Sequence, residues 1–536
     1  MVNCRTDVSD TTKKVVMRIM GYGFWAMLFV LASLSSPAIA QVQFEVERFI
    51  VEGNNPVGSA VTESTLAPFV GSHTGIDRLQ QAATALEKVL NGKGYDFHRV
   101  TLPPQVLESG AVTLEIRNLI IGEISTSGNK HFSDQNLLRS LPQLSSAETP
   151  NTRALSRALA VANFNTAKRT RLTFGRGSDD NTLDARIEVR DRPPQQVYGW
   201  LNNTGTEETT RTRVGIGYQH RNVLDRDHNL TATFTSSPER SEDVQQYGVN
   251  YQIPLYALTG TLGLFHVKSD IDSGRVADAF DVNGGGETTG IRYSQVLNKI
   301  GEYRQRVYID VVDKLFDNNV DFQGTDIGVD VRSRPLGLTW QLEWDRPLSS
   351  GRVNATWSTN LSGGSLNDQA SYTAARVGAP RNWDSLRFNF NQDFNLPEQW
   401  TFGINILGQY TSDPLISGEQ LGLGGSQGPR GFEEREVGVD RGANLKLQVW
   451  APPFANNIQF GGFIDYGYGT RLNPQPGEVS DRELSSAGVA AKWQWNNRLV
   501  ATIDIGYVLQ GLEEPTLTQD GDSQAHVSLV YRFTRD

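Results

Sequence analysis

Residues 423–432 read Leu423-Gly424-Gly425-Ser426-Gln427-Gly428-Pro429-Arg430-Gly431-Phe432, and Gly424–Gly428 fits the pattern G-x-S-x-G. A serine in that pattern becomes a nucleophile when a sharp strand-to-helix turn exposes its hydroxyl and His and Asp partners activate it. Here the stretch is glycine-rich and no helical periodicity follows. The seven His are scattered and form no H-E-x-x-H pair. No Walker A sequence is present, and a single Cys can neither build a thiolate zinc site nor close a disulfide within the chain. A second segment, Phe463-Ile464-Asp465-Tyr466-Gly467, alternates, so Phe463, Asp465 and Gly467 share one face and Ile464 and Tyr466 the other. None of this indicates metal, nucleotide or covalent catalysis. We expect no enzyme activity and no cofactor.

The elements that carry these residues follow from composition and pattern. The chain has 536 residues, 38% of them hydrophobic, with a formal net charge of −10. A polytopic helical membrane protein needs several runs of about 20 apolar residues, and only one apolar run occurs, near the start. Nucleic-acid binding is disfavoured by a pI near 5.4, since phosphate contact needs clustered positive charge. Lys13, Lys14 and Arg18 precede an apolar stretch from Met20 to Ala32, and Ala38-Ile39-Ala40 ends it. Basic, apolar and small residues in that order read as a secretory signal over 1–40, cleaved after Ala40. The sole cysteine, Cys4, then leaves with the signal.

Residues 44–192 alternate between strand and helix patterns, and the order repeats. Phe44–Val51 ends at Gly53-Asn54, and Ile120–Ser127 ends at Gly128-Asn129, 75 residues later. The first copy continues with a short helix over Glu63–Phe69, a longer one over Asp77–Leu90, and strands Phe97–Leu102 and Ala111–Ile116. The second has helices near Asp134–Leu141 and Thr152–Ala162, then strands Arg169–Phe174 and Leu183–Val189. Each copy is β-α-α-β-β. We place the modules at 41–118 and 119–194.

From 195 to 536 the helical period vanishes. Leu336, Leu338, Trp340, Leu342 and Trp344 alternate with polar or small residues, as do Tyr247, Val249, Tyr251 and Ile253. About sixteen such segments follow one another. Connections after even-numbered segments are mostly short, as at Arg346–Ser350. Several after odd-numbered ones are long: 269–286, 314–334, 362–384 and 412–441. Short turns on one rim and long loops on the other mark an antiparallel β-barrel of the outer membrane. Outward residues meet lipid and inward ones meet water, so only half of each strand is apolar. Trp200, Trp340, Trp344, Trp400, Trp450 and Trp495 are expected near segment ends as an aromatic girdle. A soluble sandwich shares the alternation but not the asymmetric connections. The expected fold is mixed: two α+β modules, then a C-terminal 16-stranded transmembrane antiparallel barrel.

The Pro429-Arg430-Gly431-Phe432 stretch resembles the V-R-G-[YF] loop-six motif of the superfamily of outer-membrane protein translocation and assembly factors. Phe463-x-Asp465-x-Gly467 resembles its F-x-D-x-G strand motif. The resemblance implies that loop 412–441 folds into the lumen and that Arg430 pairs with Asp465. Such a contact in a narrow lumen is weakly screened and can be bidentate. Gly431 would permit a tight backbone at the tip. Val527, Leu529, Tyr531 and Phe533 face one way and resemble the C-terminal signal read by the barrel assembly machinery. The two modules resemble POTRA (polypeptide-transport-associated) domains. Phe69-Val70-Gly71, Lys93-Gly94-Tyr95 and Arg99–Gln105 are similar to the first POTRA of two-partner secretion transporters, the haemolysin and adhesin exporters. The resemblance implies POTRA domains in the periplasm, a barrel in outer-membrane lipid, and a secreted β-rich adhesin or cytolysin as client, exported without nucleotide hydrolysis. The alternative it leaves is a barrel assembly or insertion factor. Gln41 is almost followed by the first module, so we expect no plug helix there; the loop carrying Arg430 then remains to occlude the pore.

Overall fold

The computed structural model describes residues 43–106, 110–205, 210–242, 244–269, 274–276, 280–282, 285–317, 321–322, 325–326, 329–496, 498–514 and 517–533. The expected signal and its cleavage point at Ala40 lie outside them.

The first module begins with β1 (Gln43–Val46) and β2 (Arg48–Gly53), followed by α1 (Ser59–Leu66), β3 (Gly71–Thr74), α2 (Asp77–Gly92), β4 (His98–Thr101) and β5 (Ala111–Asn118). Two expectations are corrected here. The segment Phe44–Val51 is two strands, broken where the Glu47 and Arg48 N–H groups both turn to the Gly110 carbonyl. β1 leaves the sheet and pairs with β3, a strand the alternation did not predict. The first helix also starts four residues earlier, after Gly58 at φ 81°, and ends in a tight turn at Ala67–Phe69 that contains Pro68. Sheet order is β2-β5-β4, with β2 parallel to β5. Leu79, Ala82, Ala83, Leu86 and Leu90 form the buried face of α2, and Leu114 and Ile116 of β5 receive part of it.

The second module repeats the plan with β6 (Ile120–Ser127), α3 (Asp134–Arg139), α4 (Thr152–Ala162), β7 (Lys168–Arg176) and β8 (Thr182–Asp191), in sheet order β6-β8-β7. The glycines that mark the repeat do the same work twice. Gly53 and Gly128 adopt φ of 92° and 85° at the end of the parallel strand. A Cβ there would lie 2.2 Å from the Ile116 carbonyl oxygen and 2.3 Å from that of Val189. No side chain fits such an approach.

His98 of β4 is 1% exposed, with its ring edge-on to Tyr95. Burial pulls its imidazole below the ordinary value, against a smaller opposing pull from the Tyr95 backbone. The folded module therefore holds His98 neutral, and unfolding takes up a proton below about pH 6.5. Stability is complete above that pH and is lost as pH falls through it toward the folded value. Hydrogen exchange along α2 in the full chain, corrected for intrinsic rates, should accelerate between about pH 7.5 and 5. His98→Phe should remove that acceleration; an unchanged pH response in the variant would dismiss His98 as its source.

The barrel strands are β9 (Gln195–Asn202), β10 (Arg213–Val223), β11 (His228–Ser236), β12 (Gln245–Leu255), β13 (Gly260–Ser269), β14 (Gly286–Val296), β15 (Arg304–Phe316), β16 (Pro335–Arg346, prolonged by Val331–Ser333), β17 (Ser349–Asn360), β18 (Asp384–Asn395), β19 (Thr401–Tyr410), β20 (Arg441–Trp450), β21 (Ile458–Thr470), β22 (Asp481–Trp495), β23 (Leu499–Gln510) and β24 (Ser523–Arg532). Each pairs antiparallel with its sequence neighbour, and β24 pairs with β9 to close a sixteen-stranded ring. Outward positions such as Ile216, Val249, Ile291, Leu338, Ile464 and Ile505 are exposed and apolar, as lipid contact requires. Among the described residues no helix is long and apolar enough to cross a membrane. Trp344, Trp400, Trp450 and Trp495 gather at the short-turn rim, whereas Trp340 sits mid-strand opposite Ala355. Several aromatics lie across a glycine of the next strand: Trp200 on Gly215, Phe265 on Gly290, Trp344 on Gly351 and Phe388 on Gly408. The ring covers backbone that the glycine leaves bare.

The second module is seated on the short-turn rim. Lys168 Nζ contacts Asp227 Oδ2 at 2.6 Å and donates to Asn136 Oδ1 at 2.8 Å. Tyr256 donates its hydroxyl proton to the same Asp227 oxygen at 2.5 Å, and Asn165 Nδ2 donates to Asp227 Oδ1 at 3.0 Å. The Lys168 and Asp227 side chains are 0% and 2% exposed. Burial pulls the Lys168 ammonium below its usual value, and the Asp227 charge opposes the shift. Val161 and Ala162 of α4 pack on Tyr256 and Val296, and the Arg306 guanidinium covers the Phe164 ring at 3.4 Å.

Candidate functional site

The connection between β19 and β20, residues 411–440, turns into the barrel. Its two limbs pair as a small hairpin, Leu421–Leu423 against Val437–Val439. This stem carries the tip, residues 424–436, to the inner wall of β20–β24.

At the tip Arg430 is 2% exposed and Asp465, inward on β21, is fully buried. Arg430 Nε donates to Asp465 Oδ2 at 2.7 Å and Nη2 to Oδ1 at 2.9 Å. The Arg430 backbone N–H adds a third bond to Oδ2 at 3.1 Å. Nη1 reaches Gln448 Oε1 at 3.2 Å and lies 3.6 Å from Asp504 Oδ2. The guanidinium plane rests 3.4 Å from the Phe463 ring centroid, a contact that favours a desolvated cation. The structure thus brings Arg430, Phe463 and Asp465 together. Gly431 takes φ 102° and Phe432 is fully buried among Leu423, Leu484 and Val508. Gly467 faces the Pro429 ring, where a Cβ would stand 3.0 Å from it.

Several partners at the tip were not singled out from sequence. Gly506 of β23 lies against the tip backbone, and a Cβ there would sit 2.6 Å from the Arg430 carbonyl carbon and the Gly431 nitrogen. His526 Nε2 accepts from the Gly431 N–H at 3.3 Å. Lys446 Nζ donates to the Ser426 carbonyl at 2.6 Å, and the Ser426 N–H donates to Glu434 Oε1 at 2.7 Å. The segment after Ser426 runs into turn and strand rather than the helix a nucleophile elbow requires. The inward parity of Asp504, Gly506 and His526 on their strands was the available signal. What it lacked was knowledge of which wall the tip would meet.

Val527, Leu529, Tyr531 and Phe533 occupy one face of β24 and its end, away from this tip, with Leu529 and Phe533 exposed. Tyr531 and Phe533 meet edge to face, and the Phe533 N–H donates to Val197 O at 2.9 Å. Among the described residues no group of His, Cys, Asp and Glu could hold a metal ion.

Comparison with known proteins agrees with this architecture. Residues 183–494 match the family described as haemolysin secretion/activation protein ShlB/FhaC/HecB, and residues 44–117 match the POTRA domain of ShlB type. A heme/hemopexin transporter protein, HuxB of Haemophilus influenzae, is 20% identical over 75% of this chain and 72% of its own length. The solved structure of CdiB from Escherichia coli superposes with a TM-score of 0.71 at 15% identity, covering 94% of this chain and 93% of CdiB. BamA from Haemophilus ducreyi lacking POTRA domains 1–3 superposes with a TM-score of 0.50 at 14% identity, over 91% of this chain and 100% of that one. The family match spans more than half of the chain and the fold agrees: the protein belongs to the haemolysin secretion/activation family, the two-partner secretion transporters that sit in the outer membrane with their POTRA domains in the periplasm and export a partner protein.

Proposed function

We propose that the client is an unfolded, β-rich adhesin or cytolysin, captured by the POTRA modules and passed through the lumen when the tip of loop 411–440 leaves Asp465. The observation that carries this reading is the tip itself: a fully desolvated Arg–carboxylate contact holds a loop across the polar interior. The working units in this reading are a cleaved signal at 1–40, capture modules at 41–118 and 119–194, and a barrel at 195–536. Sheet edges β4 and β7 bear no further strand among the described residues, and an extended segment can add there through backbone hydrogen bonds. Arg430, Gly431 and Phe432 are the gate, Phe463, Asp465 and Gly467 its seat. Val527, Leu529, Tyr531 and Phe533 address the chain to the barrel assembly machinery and then face lipid. No catalysis, cofactor or nucleic acid enters; client folding outside the cell supplies the drive.

Deleting 43–118 should abolish client capture by at least about tenfold in affinity while the barrel still inserts. Undiminished capture of the unfolded secretion domain would remove the POTRA role. The second reading, an assembly or insertion factor, draws on the seam. β24 and β9 pair from Ser528 opposite Asn202 to Arg532 opposite Tyr198, with one backbone bond beyond each end, Asn203 N–H to Val527 O and Phe533 N–H to Val197 O, whereas β21 and β22 pair from Ile458 to Thr470. Against it, Asn203 continues the seam with its side chain, accepting from the Val527 N–H at 2.7 Å and donating to Ala525 O at 2.6 Å. The client decides: a soluble secreted protein supports export, an integrated barrel supports insertion.

A further inference from the structure

Loop 411–440 is gripped at its root as well as at its tip. Arg376 follows α5 (Gln369–Ala375), a short helix in the connection between β17 and β18. Its Nη1 donates to Asp440 Oδ1 at 2.5 Å and its Nη2 to Asp440 Oδ2 at 2.8 Å. The same guanidinium donates to the carbonyls of Leu415 at 2.5 Å and Leu472 at 2.7 Å. Asp440 accepts in addition from the Leu415 N–H at 2.9 Å, the Leu472 N–H at 2.6 Å and Gln420 Nε2 at 3.1 Å. The two side chains are 7% and 0% exposed.

The placement of these partners gives the pair its meaning. Leu415 stands on the limb that enters the loop and Asp440 on the limb that leaves it. Leu472 belongs to the next connection, between β21 and β22. One ion pair therefore ties three connections on the long-loop rim. Beneath it Leu415 and Ile416 pack with Phe316, Tyr372 and Trp383. A buried ion pair adds little net stability over an apolar substitute of the same shape. What a bidentate Arg–carboxylate contact does supply is a fixed orientation. The hairpin stem at Leu421–Leu423 and Val437–Val439 lies between this root and the tip, with Val439 directly before Asp440.

We propose that Arg376 and Asp440 are positioning residues of the gate: they set the direction of the stem, so that Arg430 arrives at Asp465, and the gate opens by release of the tip about a root that stays closed. The inference rests on reading loop 411–440 as the gate. It assigns Arg376, on a connection far from the tip in sequence, a role in pore closure that it exerts only through the loop.

The test uses the full-length protein in planar bilayers and in nanodiscs, in a Cys4→Ser background. A nitroxide on Ser426→Cys reports tip mobility. Arg376→Gln should sharpen the nitroxide spectrum and raise the frequency of channel openings by about tenfold. Asp465→Asn should do the same by unseating the tip directly. Combined, the two substitutions should give no more openings than Asp465→Asn alone, because the root acts through the tip. If Arg376→Gln prevents barrel insertion, Asp440→Asn, which is isosteric, is measured in its place. Additive effects of root and tip, or an inserted root variant with a still tip and unchanged openings, would overturn the proposal. Were Asp465→Asn itself silent, the gate reading would fail and the root proposal with it; a silent root variant beside an active Asp465→Asn fails this proposal alone.

Discussion

Asp465→Ala unseats the loop tip and leaves the channel open. The substitution strands Arg430, 2% exposed, without the carboxylate that takes two bonds from its guanidinium and one from its backbone. Breaking a buried ion pair from one side costs about 3–5 kcal/mol, because the surviving charge stays desolvated. Asp504 at 3.6 Å and Gln448 at 3.2 Å remain as partial substitutes, which places the cost toward the lower end. The tip escapes by leaving the wall, since water is available in the lumen. Planar-bilayer recordings should show sustained conductance in place of a mostly closed channel, and client secretion should fall by about tenfold or more as the gate ceases to cycle. Arg430→Ala should give the same phenotype from the other side. Normal secretion through a quiet channel in either variant, with the barrel inserted, would end the gate reading.

Asp227→Ala detaches the second module from the barrel. Lys168 then keeps Asn136 and the face of the Phe132 ring beside it, with Asp225 and Asp191 acting only through space, and a buried lysine without a bonded carboxylate either deprotonates or leaves. The docked state binds the Lys168 proton more weakly than the free module does. Docking should therefore be lost near neutral pH and recovered as pH rises toward about 10. Fluorescence transfer between labels on α4 and on the barrel should fall at pH 7 and return on alkalinisation. Secretion should drop with the barrel intact, because client held by a loose module no longer meets the pore. A docked module at neutral pH would show that the apolar contacts of Val161 and Ala162 suffice.

The sequence pattern carried the barrel because every strand declares itself locally: lipid on one side and water on the other impose a period of two on each segment. Gly53 and Gly128 made the module repeat legible by ending corresponding strands 75 residues apart, whereas the parallel pairing of β2 with β5 and of β6 with β8 does not follow from them. What escaped had no local signature. β3, Gly-Ser-His-Thr, is too short and too polar to show a period, and it exists because β1 needs a partner. Lys168 at the start of β7 looks like an ordinary solvated cation; only the distant turn at Asp227 makes it a buried one. Arg376 and Asp440 are 64 residues apart in polar connections, and their pairing depends on where the rim folds over. His526 and Gly506 could be placed on the inner face but not opposite the tip.

The seam joining β24 to β9 also dictates when the barrel can form. The Asn203 side chain reaches Ala525 across 322 positions of chain. Closing a flexible loop of that length costs about 5 kcal/mol in chain entropy, and the short register from Ser528 to Arg532 offsets it only once the neighbouring strands are in place. Every other barrel pairing joins strands adjacent in sequence and can form earlier. Ring closure is therefore expected to be the last barrel pairing to form, because it waits for β24. A chain truncated before Ser523 should accumulate as an open, curled sheet with two unpaired edges, prone to aggregate in the periplasm rather than to insert.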